Sequence, residues 1–266
     1  MRGRSGGSLL RIIFGLVIAG ISLFSYLASQ EFNEVTGENQ YVALTPKQEI
    51  ALGLQSAPEM IQEFGGLYGD EDVQQLIDNI GHQLVRNTVA SDTSWQFEFH
   101  VLDDAGTINA FALPGGQIFI TTALLNEISR EDQIAAILAH EMVHVLARHS
   151  SQQIAKSELT NGLVGAVAVA ADEAGAAQTT AVIGQLINMK YGRDDEIQSD
   201  TLGICLMINS GYDPEAMVEI MEILAAAGGG ARPPEFFSTH PSPDRRVERI
   251  EQTIASVDEA CADLLE

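Results

Sequence analysis

The run His140-Glu141-Met142-Val143-His144 places the tightest constraint on how this chain can fold. Side chains four residues apart leave the same face of an α-helix about one turn from each other, so a helix brings His140 and His144 together. Two imidazoles so placed can bind one Zn²⁺ ion, and Glu141 lies beside them, where it can take a proton from a zinc-bound water. Two histidines on an ordinary helix are the alternative that these five residues leave open.

A catalytic zinc site needs three protein ligands and an open position. The histidine that extends the motif in metzincins is absent. His149 lies five residues after His144, about 140° around a continuous helix, and is expected to point elsewhere. Glu196, in the acidic run 193–200, is the better third ligand, and Asp200 one turn later can orient a ligand histidine. A solvated acidic helix face is the alternative for that run.

The N-terminus predicts a membrane segment. Arg2, Arg4 and Arg11 precede or flank a charge-free stretch, Ile12–Ala28, of 17 residues that is apolar on all faces. The basic flank should stay in the cytoplasm, which sends the rest outward. An uncleaved anchor and a cleaved signal both fit. We expect a membrane-anchored protein with its main domain on the extracytoplasmic, periplasmic side, or a secreted one if the segment is cleaved.

Length and charge narrow the organisation and the partners. At 266 residues the chain can bury one sizeable core, and we expect an anchor or signal segment over 1–30, an extended linker over 31–45 and one domain over 46–266. With 14 basic and 37 acidic residues the formal charge is −23, so nucleic acid is excluded as a partner.

Apolar periodicity and turn residues predict a mixed set of elements. Helices are expected from Pro46 to about Phe64, over Asp70–Asn87, from about Ser129 to His149, from Tyr212 through Leu224 and over Pro243–Val257. Strands are expected over Gln96–Val101, Ala110–Leu113 and Gln117–Thr121, with a tight turn at Pro114–Gly116. The Gly- and Ala-rich stretch 158–190 fits a packed helical hairpin or a second membrane contact.

Two cysteines, Cys205 and Cys261, are too few for a disulfide framework. A single disulfide and two free thiols are both consistent with the sequence. The pair therefore leaves the redox state of the compartment open.

The motifs together resemble the membrane-associated gluzincin peptidases of the HtpX and BepA type. The resemblance covers about Val35 to Ile250 and includes the stretch Val35-Thr36-Gly37-Glu38. It rests on four ordered segments, namely Asn109–Gly116, Leu138–His144, Arg193 with Glu196 and Asp200, and Ser238–Pro241 with Arg245 and Arg246. One departure is Ser199, where the family usually has alanine.

The resemblance implies a role for each matching residue. Glu196 would be the third ligand of one Zn²⁺ per chain, and Arg245 or Arg246 would pair with an acid near the site. His240 would stabilise the oxyanion of the tetrahedral intermediate or cap the zinc in a resting state. The strand Gln117–Thr121 would be the edge strand that pairs with an extended substrate. The substrate-binding residues would be Asn109, Phe111, Gly115, Gly116, Gln117, Ile118 and Phe119.

We therefore expect an α+β fold, a zincin-like metallopeptidase domain that is mainly helical with a small mixed sheet, preceded by one N-terminal transmembrane or signal helix. The expected function is zinc-dependent endoproteolysis of unfolded or misfolded proteins in envelope quality control, with Glu141 as the base. A normally shut, zinc-binding, chaperone-like protein with little peptidase activity is the alternative. A structural protein without metal is the third possibility.

Overall fold

The computed structural model describes residues 5–171, 190–227, 234–240 and 246–261. The chain divides into two compact units. One contains the residues up to Thr45 together with the helical residues that follow Ser150, and the other contains Pro46–Ser150 and the described residues from 190 onward. The domain limits expected from the sequence remain a prediction.

The first unit begins with a long apolar helix, α1 (Ser5–Ala28). In the described part of the chain, one helix has the length and composition to cross a membrane, and its candidate span is Ser8–Ala28. Very little of this span is buried, and large apolar side chains such as Leu16 and Phe24 are 68% and 73% exposed. The predicted N-terminal helix is therefore present.

A β-hairpin follows α1 where the sequence predicts an extended linker. Its strands β1 (Gln30–Asn33) and β2 (Glu38–Tyr41) pair antiparallel. The turn is stabilised locally, because the Asn33 side-chain oxygen accepts hydrogen bonds from the main-chain N–H groups of Val35 and Thr36 at 2.9 and 3.4 Å. Gly37 adopts a φ of 68°, which closes the turn.

The second unit holds a three-stranded mixed sheet. Two helices, α2 (Pro46–Glu63) and α3 (Glu71–Arg86), precede it, and the helix expected over Asp70–Asn87 is present with these two residues as its caps. The strands are β3 (Glu98–Leu102), β4 (Ala110–Ala112) and β5 (Gln117–Thr121). Their order is β3-β5-β4, with β3 parallel and β4 antiparallel to β5. All three predicted strands and the small mixed sheet are confirmed.

The prediction that Gln117–Thr121 is an edge strand is wrong. β5 is the central strand, because β3 occupies one of its sides and β4 the other. All five of its residues are buried. In the described residues, β4 has no strand on its outer side, so Ala110–Ala112 is the free edge.

The turn between β4 and β5 requires its glycines. Gly115 and Gly116 have φ angles of 86° and 120°, which side chains rarely tolerate. A Cβ on Gly115 would collide with the main chain of Ile50 in α2, and one on Gly116 would collide with the main chain of Gln96. The predicted tight turn is thus also a packing point.

The helix that carries the His-Glu motif lies at the centre of the second unit. After a short helix α4 (Thr122–Leu125), α5 runs over Glu131–Leu146, and every residue from Gln133 to Leu146 is buried. It packs against α3, β4, β5 and two later helices, α7 (Arg193–Asn209) and α8 (Ala216–Ala227). Further short helices are α9 (Phe236–Thr239), α10 (Arg246–Ala255) and α11 (Val257–Ala260).

The predicted continuation of α5 to His149 is wrong. The helix ends at Leu146, Arg148 adopts a left-handed φ of 58°, and a new helix, α6 (His149–Ala171), begins. This conformation is costly for a residue with a side chain. It is held because the buried Arg148 guanidinium donates from Nε to the buried Glu49 carboxylate at 2.8 Å.

Other predicted features fall partly outside the described residues. For the stretch 158–190 the sequence predicts a packed helical hairpin or a second membrane contact; α6 covers its first part, to Ala171, and residues 172–189 lie outside the described residues. α10 confirms the terminal charged helix from Arg246 onward, whereas 241–245 are also outside.

A disulfide joins Cys205 of α7 to Cys261, which follows α11. The sequence left this pairing open. The packing of α7 against α10 and α11 brings the two Cα atoms to 5.5 Å, within the range that a disulfide needs.

Candidate metal centre

Three buried side chains from two helices form the predicted ligand set. His140 and His144 project from α5, and Glu196 projects from the first turn of α7. The two histidine Nε2 atoms are 3.1 Å apart. The Glu196 oxygens lie 3.5 Å from His140 Nε2 and 3.6 Å from His144 Nε2. The three residues are at most 2% exposed.

The spacing of these donor atoms fits a zinc ion. Zinc–nitrogen bonds of about 2.0–2.1 Å in a tetrahedron place neighbouring ligand atoms about 3.3 Å apart. The observed separations of 3.1, 3.5 and 3.6 Å bracket that value. Two imidazoles and one carboxylate form a donor set that zinc prefers. The predicted ligands are therefore brought together in a geometry that one ion can satisfy.

Asp200 forms the hydrogen bond with His140 that its predicted orienting role requires. His140 Nδ1 donates to Asp200 Oδ1 at 3.0 Å, which leaves the Nε2 lone pair directed at the ligand cluster. Arg246 donates two hydrogen bonds to the same carboxylate, from Nε to Oδ2 at 2.6 Å and from Nη2 to Oδ1 at 2.7 Å. Burial raises the pKa of Asp200, but Arg246 and His140 outweigh it, so this pKa lies below its ordinary value.

The electrostatics of the centre suit a cation. Burial lowers the pKa of His140, yet the hydrogen bonds with Asp200 and Glu196 raise it to about 9. Burial likewise raises the pKa of Glu196, but His240 and His140 bring it well below its ordinary value. A site that favours positive charge on a histidine ring also favours a metal ion bound to it.

His149 orients His144, contrary to the sequence expectation that it points elsewhere. The break at Arg148 turns His149 back, and its Nδ1 lies 2.9 Å from His144 Nδ1. His149 Nε2 lies 2.9 Å from Gln198 Oε1, an acceptor only. His149 therefore donates from Nε2 and accepts at Nδ1. His144 must then donate from Nδ1, so its Nε2 lone pair is free for a metal.

Glu141 lies inside the same buried centre. It is fully buried, and neither carboxylate oxygen forms a hydrogen bond with any residue that the structure describes. Burial raises the pKa of Glu141 above its ordinary value. A buried carboxylate next to two metal-binding histidines is positioned to accept a proton from a water molecule on the metal.

The sequence profile of peptidase family M48 matches residues 71–254. The chain belongs to peptidase family M48. Its relatives include the mitochondrial metalloendopeptidase OMA1 of Schizosaccharomyces pombe, which is 30% identical over 243 residues that cover 90% of this chain and 71% of that protein. The putative beta-barrel assembly-enhancing protease of Vibrio cholerae is 33% identical over 214 residues, covering 77% of this chain and 43% of that protein.

A further relative is the beta-barrel assembly-enhancing protease of Yersinia pestis, which is 28% identical over 246 residues, covering 89% of this chain and 50% of that protein. The chain thus spans half or less of the length of these two bacterial relatives. By family and by its intact His-His-Glu site, this M48 chain is a metalloendopeptidase. The predicted resemblance to the HtpX and BepA type is confirmed.

His240 joins the ligand cluster of this M48 peptidase as a fourth donor. Its Nδ1 lies 3.0 Å from Glu196 Oε1 and 3.4 Å from His140 Nε2, and its Nε2 lies 3.5 Å from Glu141 Oε1. Donor atoms of His140, His144, Glu196 and His240 all lie within 4.8 Å of one another. His240 is fully buried. The structure therefore places it at the site.

Aromatic rings that the sequence did not single out enclose these histidines. Tyr191 stacks on His144 with ring centroids 3.8 Å apart, and its hydroxyl lies 3.1 Å from Ser150 Oγ. Phe236 stacks on His240 with centroids 4.5 Å apart. No spacing rule marks either ring, because Tyr191 lies in an irregular segment before α7 and Phe236 begins the four-residue helix α9. Both rings are buried beside the ligand histidines.

Arg246, one of the two arginines expected to pair with an acid, contacts two. Beyond Asp200 it reaches Glu196, whose Oε2 lies 3.1 Å from Arg246 Nη1. Burial lowers the pKa of Arg246, but Asp200 and Glu196 raise it above its ordinary value. Arg245 lies outside the described residues.

The residues predicted to bind substrate occupy different surroundings. Gly115 and Gly116 form the turn against α2 and the start of β3, and Gln117 Oε1 lies 2.8 Å from His100 Nε2. Ile118 and Phe119 are fully buried in β5. Asn109 is buried, and only Phe111 is half-buried, stacked on Phe119. Their role in substrate binding stays a prediction.

Proposed function

We propose that this M48 chain is a zinc-dependent endopeptidase that cleaves unfolded or misfolded proteins on the extracytoplasmic side of a membrane, as part of envelope protein quality control. The observation that carries the zinc assignment is the buried His140–His144–Glu196 set with donor separations of 3.1–3.6 Å. Glu141, buried and without a hydrogen bond among the described residues, supplies the base beside that set.

The chain's own groups divide the chemistry between them. When bound, zinc lowers the pKa of a water molecule and polarises the scissile carbonyl. Glu141 accepts the proton of that water and delivers it to the leaving amine, for which its raised pKa is suited. Asp200 and His149 keep the Nδ1 protons of the two ligand histidines in place, so both Nε2 lone pairs remain available.

The free edge of β4 is the surface on which we place the substrate backbone. Asn109 and Leu113 bond to β5, through Thr121 N–H to Asn109 O at 3.1 Å and Leu113 N–H to Gln117 O at 2.8 Å. Alternation along an antiparallel strand turns the main-chain groups of Ala110 and Ala112 the other way. An extended peptide can add to this edge by main-chain hydrogen bonds, which do not depend on the side chains of the substrate.

The resting site is closed by the segment that ends at His240. Phe236 N–H donates to Ile108 O at 3.3 Å, at the start of the β4 edge, and Tyr191 N–H donates to Thr239 O at 3.1 Å. These two bonds hold His240 in the place where a fourth zinc ligand or a substrate oxygen would lie. We assign His240 the role of a cap at rest, and displacement of this segment exposes both the metal and the strand edge.

Four observations support the proposed compartment and partners. The α1 helix offers a membrane anchor, and the Cys205–Cys261 disulfide is of the kind that persists in oxidising compartments. The names of the relatives place them in the mitochondrion or in beta-barrel assembly. The formal charge of −23 disfavours nucleic acid. Unfolded envelope proteins are the substrates that fit these features.

The test is cleavage of casein and of a destabilised reporter protein by the full chain in detergent. Glu141→Gln keeps the size of the side chain and should retain one zinc per chain, while cleavage falls by about 100-fold or more because the base is lost. Ser199→Ala is the matched control, because it changes a residue of α7 that is not a metal ligand, and this variant should cleave like the parent. Equal cleavage by Glu141→Gln would remove Glu141 as the base.

A second function is favoured by the burial of His240 within the ligand cluster. In that case the chain is a normally shut, zinc-binding, chaperone-like protein with little peptidase activity. His240→Ala separates the two: the cap role predicts faster cleavage with unchanged zinc content. A lower kcat with an unchanged KM indicates instead that His240 stabilises the oxyanion. No cleavage by either the parent or His240→Ala supports the shut binding protein.

A further inference from the structure

Helices α1 and α6 lie along each other in the first unit. A Cβ on Gly15 of α1 would come within 2.7 Å of the Ala166 carbonyl oxygen and within 3.2 Å of the Ala170 Cβ. A Cβ on Gly162 of α6 would collide with Ser22. Gly15 of α1 therefore faces Ala166 and Ala170 of α6, and Ser22 faces Gly162. Because the residue number rises along α1 while it falls along α6, the two helices are antiparallel. Small residues at both contacts permit the close approach that membrane helix pairs use.

The contact points bring two charge-free stretches side by side. On α1 this stretch is Ile12–Ala28, and on α6 it covers 159–171, after the charged residues Lys156 and Glu158. At 1.5 Å per residue the α6 stretch is about 20 Å long, two thirds of a hydrocarbon core of about 30 Å. The contacts at Ser22 and Gly15 place it beside the middle of the candidate span, not beyond its end.

The face of α6 turned away from α1 is apolar and uncovered. Leu163, Val164 and Val167 are 42%, 63% and 69% exposed, and they continue the exposed apolar surface of α1. In water, side chains this large and this exposed forgo a substantial burial free energy.

Two hydroxyls along the pair are satisfied inside their own helices. Ser22 Oγ donates to the Ile18 carbonyl at 3.0 Å, and Thr160 Oγ1 donates to the Lys156 carbonyl at 2.8 Å. Helical main-chain groups bond internally as well. The α6 segment has no charges, its Thr160 hydroxyl is already bonded, and its one side-chain amide, Asn161, lies at its start, so the rest of it can enter hydrocarbon at low cost.

We propose that residues 159–171 of α6 insert into the membrane beside α1, with Leu163, Val164 and Val167 in contact with lipid acyl chains. The occupant of this face is lipid because the face continues the surface of α1 and coincides in depth with its charge-free stretch. The proposal rests on the proposed insertion of α1 and goes beyond the peptidase function. It replaces a single anchor by an antiparallel pair.

The test places an environment-sensitive fluorophore on the full chain reconstituted in phosphatidylcholine vesicles. Both native cysteines are in a disulfide, so a cysteine introduced by Val164→Cys, or by Leu163→Cys in a second variant, takes the nitrobenzoxadiazole label. Emission is measured in vesicles with and without bromine atoms on the acyl chains. The label on α6 should be blue-shifted and quenched by bromine to the same extent as one introduced by Leu23→Cys on α1.

Two controls make the outcomes distinguishable. Gln75→Cys, on an exposed face of α3, should remain unquenched and water-exposed. If the α1 label is quenched and both α6 labels behave like Gln75→Cys, the proposal is overturned and the α1 anchor stands. If the α6 labels are blue-shifted without quenching, protein such as a second copy covers this face, which also overturns it. If the α1 label is not quenched either, both membrane assignments are overturned, while casein cleavage tests the peptidase function separately.

Discussion

His149 Nδ1 lies 2.9 Å from the Nδ1 of His144, which makes one histidine the orienting partner of another. The usual partner of a metal-binding histidine is a carboxylate or a carbonyl. Here a carboxylate, Asp200, serves His140, while a neutral ring backed by Gln198 serves His144. Burial, and next to it the neighbouring His140, hold the pKa of His144 well below its ordinary value, which favours the neutral ring that a metal ligand needs.

His149→Phe keeps the ring volume and removes the acceptor that fixes the His144 tautomer. We expect zinc affinity to fall by about 10-fold or more, as for other outer partners of ligand histidines. The measurement is zinc competition against a chelator of known affinity. Gln198→Glu is the companion variant, since it keeps an acceptor for His149 and should bind zinc nearly as the parent does. Parental affinity in His149→Phe would show that the ring contact does not orient His144.

Asp200→Asn tests the corresponding partner of His140. The asparagine amide can place its NH₂ group, a donor, against His140 Nδ1, where Asp200 places an acceptor. The substitution also removes the ion pair with Arg246. We expect zinc affinity to fall by about 10- to 100-fold, with kcat largely recovered at saturating zinc. Asp194→Asn makes the same change on the exposed side of the first turn of α7 and is the matched control. A kcat that stays low at saturating zinc would point to a role beyond orientation.

Ser199→Ala should stabilise the fold. Ser199 is fully buried and its Oγ has no hydrogen-bond partner among the described residues. An unsatisfied buried hydroxyl costs about 1–3 kcal/mol, so its removal should raise the free energy of unfolding by about 1 kcal/mol. Urea unfolding of the parent and the variant, both saturated with zinc, provides the measurement. A loss of stability would mean that the hydroxyl has an unseen partner such as water.

Removal of the disulfide should destabilise the second unit. Cys205 and Cys261 are 56 positions apart, and a closed loop of this size is worth about 4 kcal/mol in the chain-entropy account. The double variant Cys205→Ser/Cys261→Ser should unfold at a correspondingly lower urea concentration. The parent in excess reductant should match it. Equal stability of the oxidised and reduced parent would contradict this expectation.

Much of the site could be predicted because its chemistry is local in sequence or fixed by spacing. His140 and His144 lie on one face of a helix wherever that helix begins, because they are four residues apart. Glu196 and Asp200 are likewise one turn apart on another helix. The regular elements follow from apolar periodicity and from helix-start residues such as Pro46. For these residues a helix alone determines which side chains meet.

What the sequence could not supply depends on pairing and on backbone conformation. The pattern of residues predicts that Gln117–Thr121 is a strand. It does not predict that β3 pairs with the side of this strand opposite β4, which leaves β4 as the edge strand of the sheet. The position of His149 depends on a left-handed Arg148, and that conformation depends on the distant Glu49. The partner of Cys205 likewise required the packing of α7 against the C-terminal helices.

The cross-link between Cys205 and Cys261 encloses the part of the chain that carries His240 and Arg246, whereas His140 and His144 lie outside the loop. The two halves of the centre can therefore differ in the free energy of local opening. Amide protons near Phe236 and Arg246 should exchange faster than those of α5 once the bond is reduced. With the bond reduced, the segment that ends at His240, which we propose as a cap, would be free to open independently of α5.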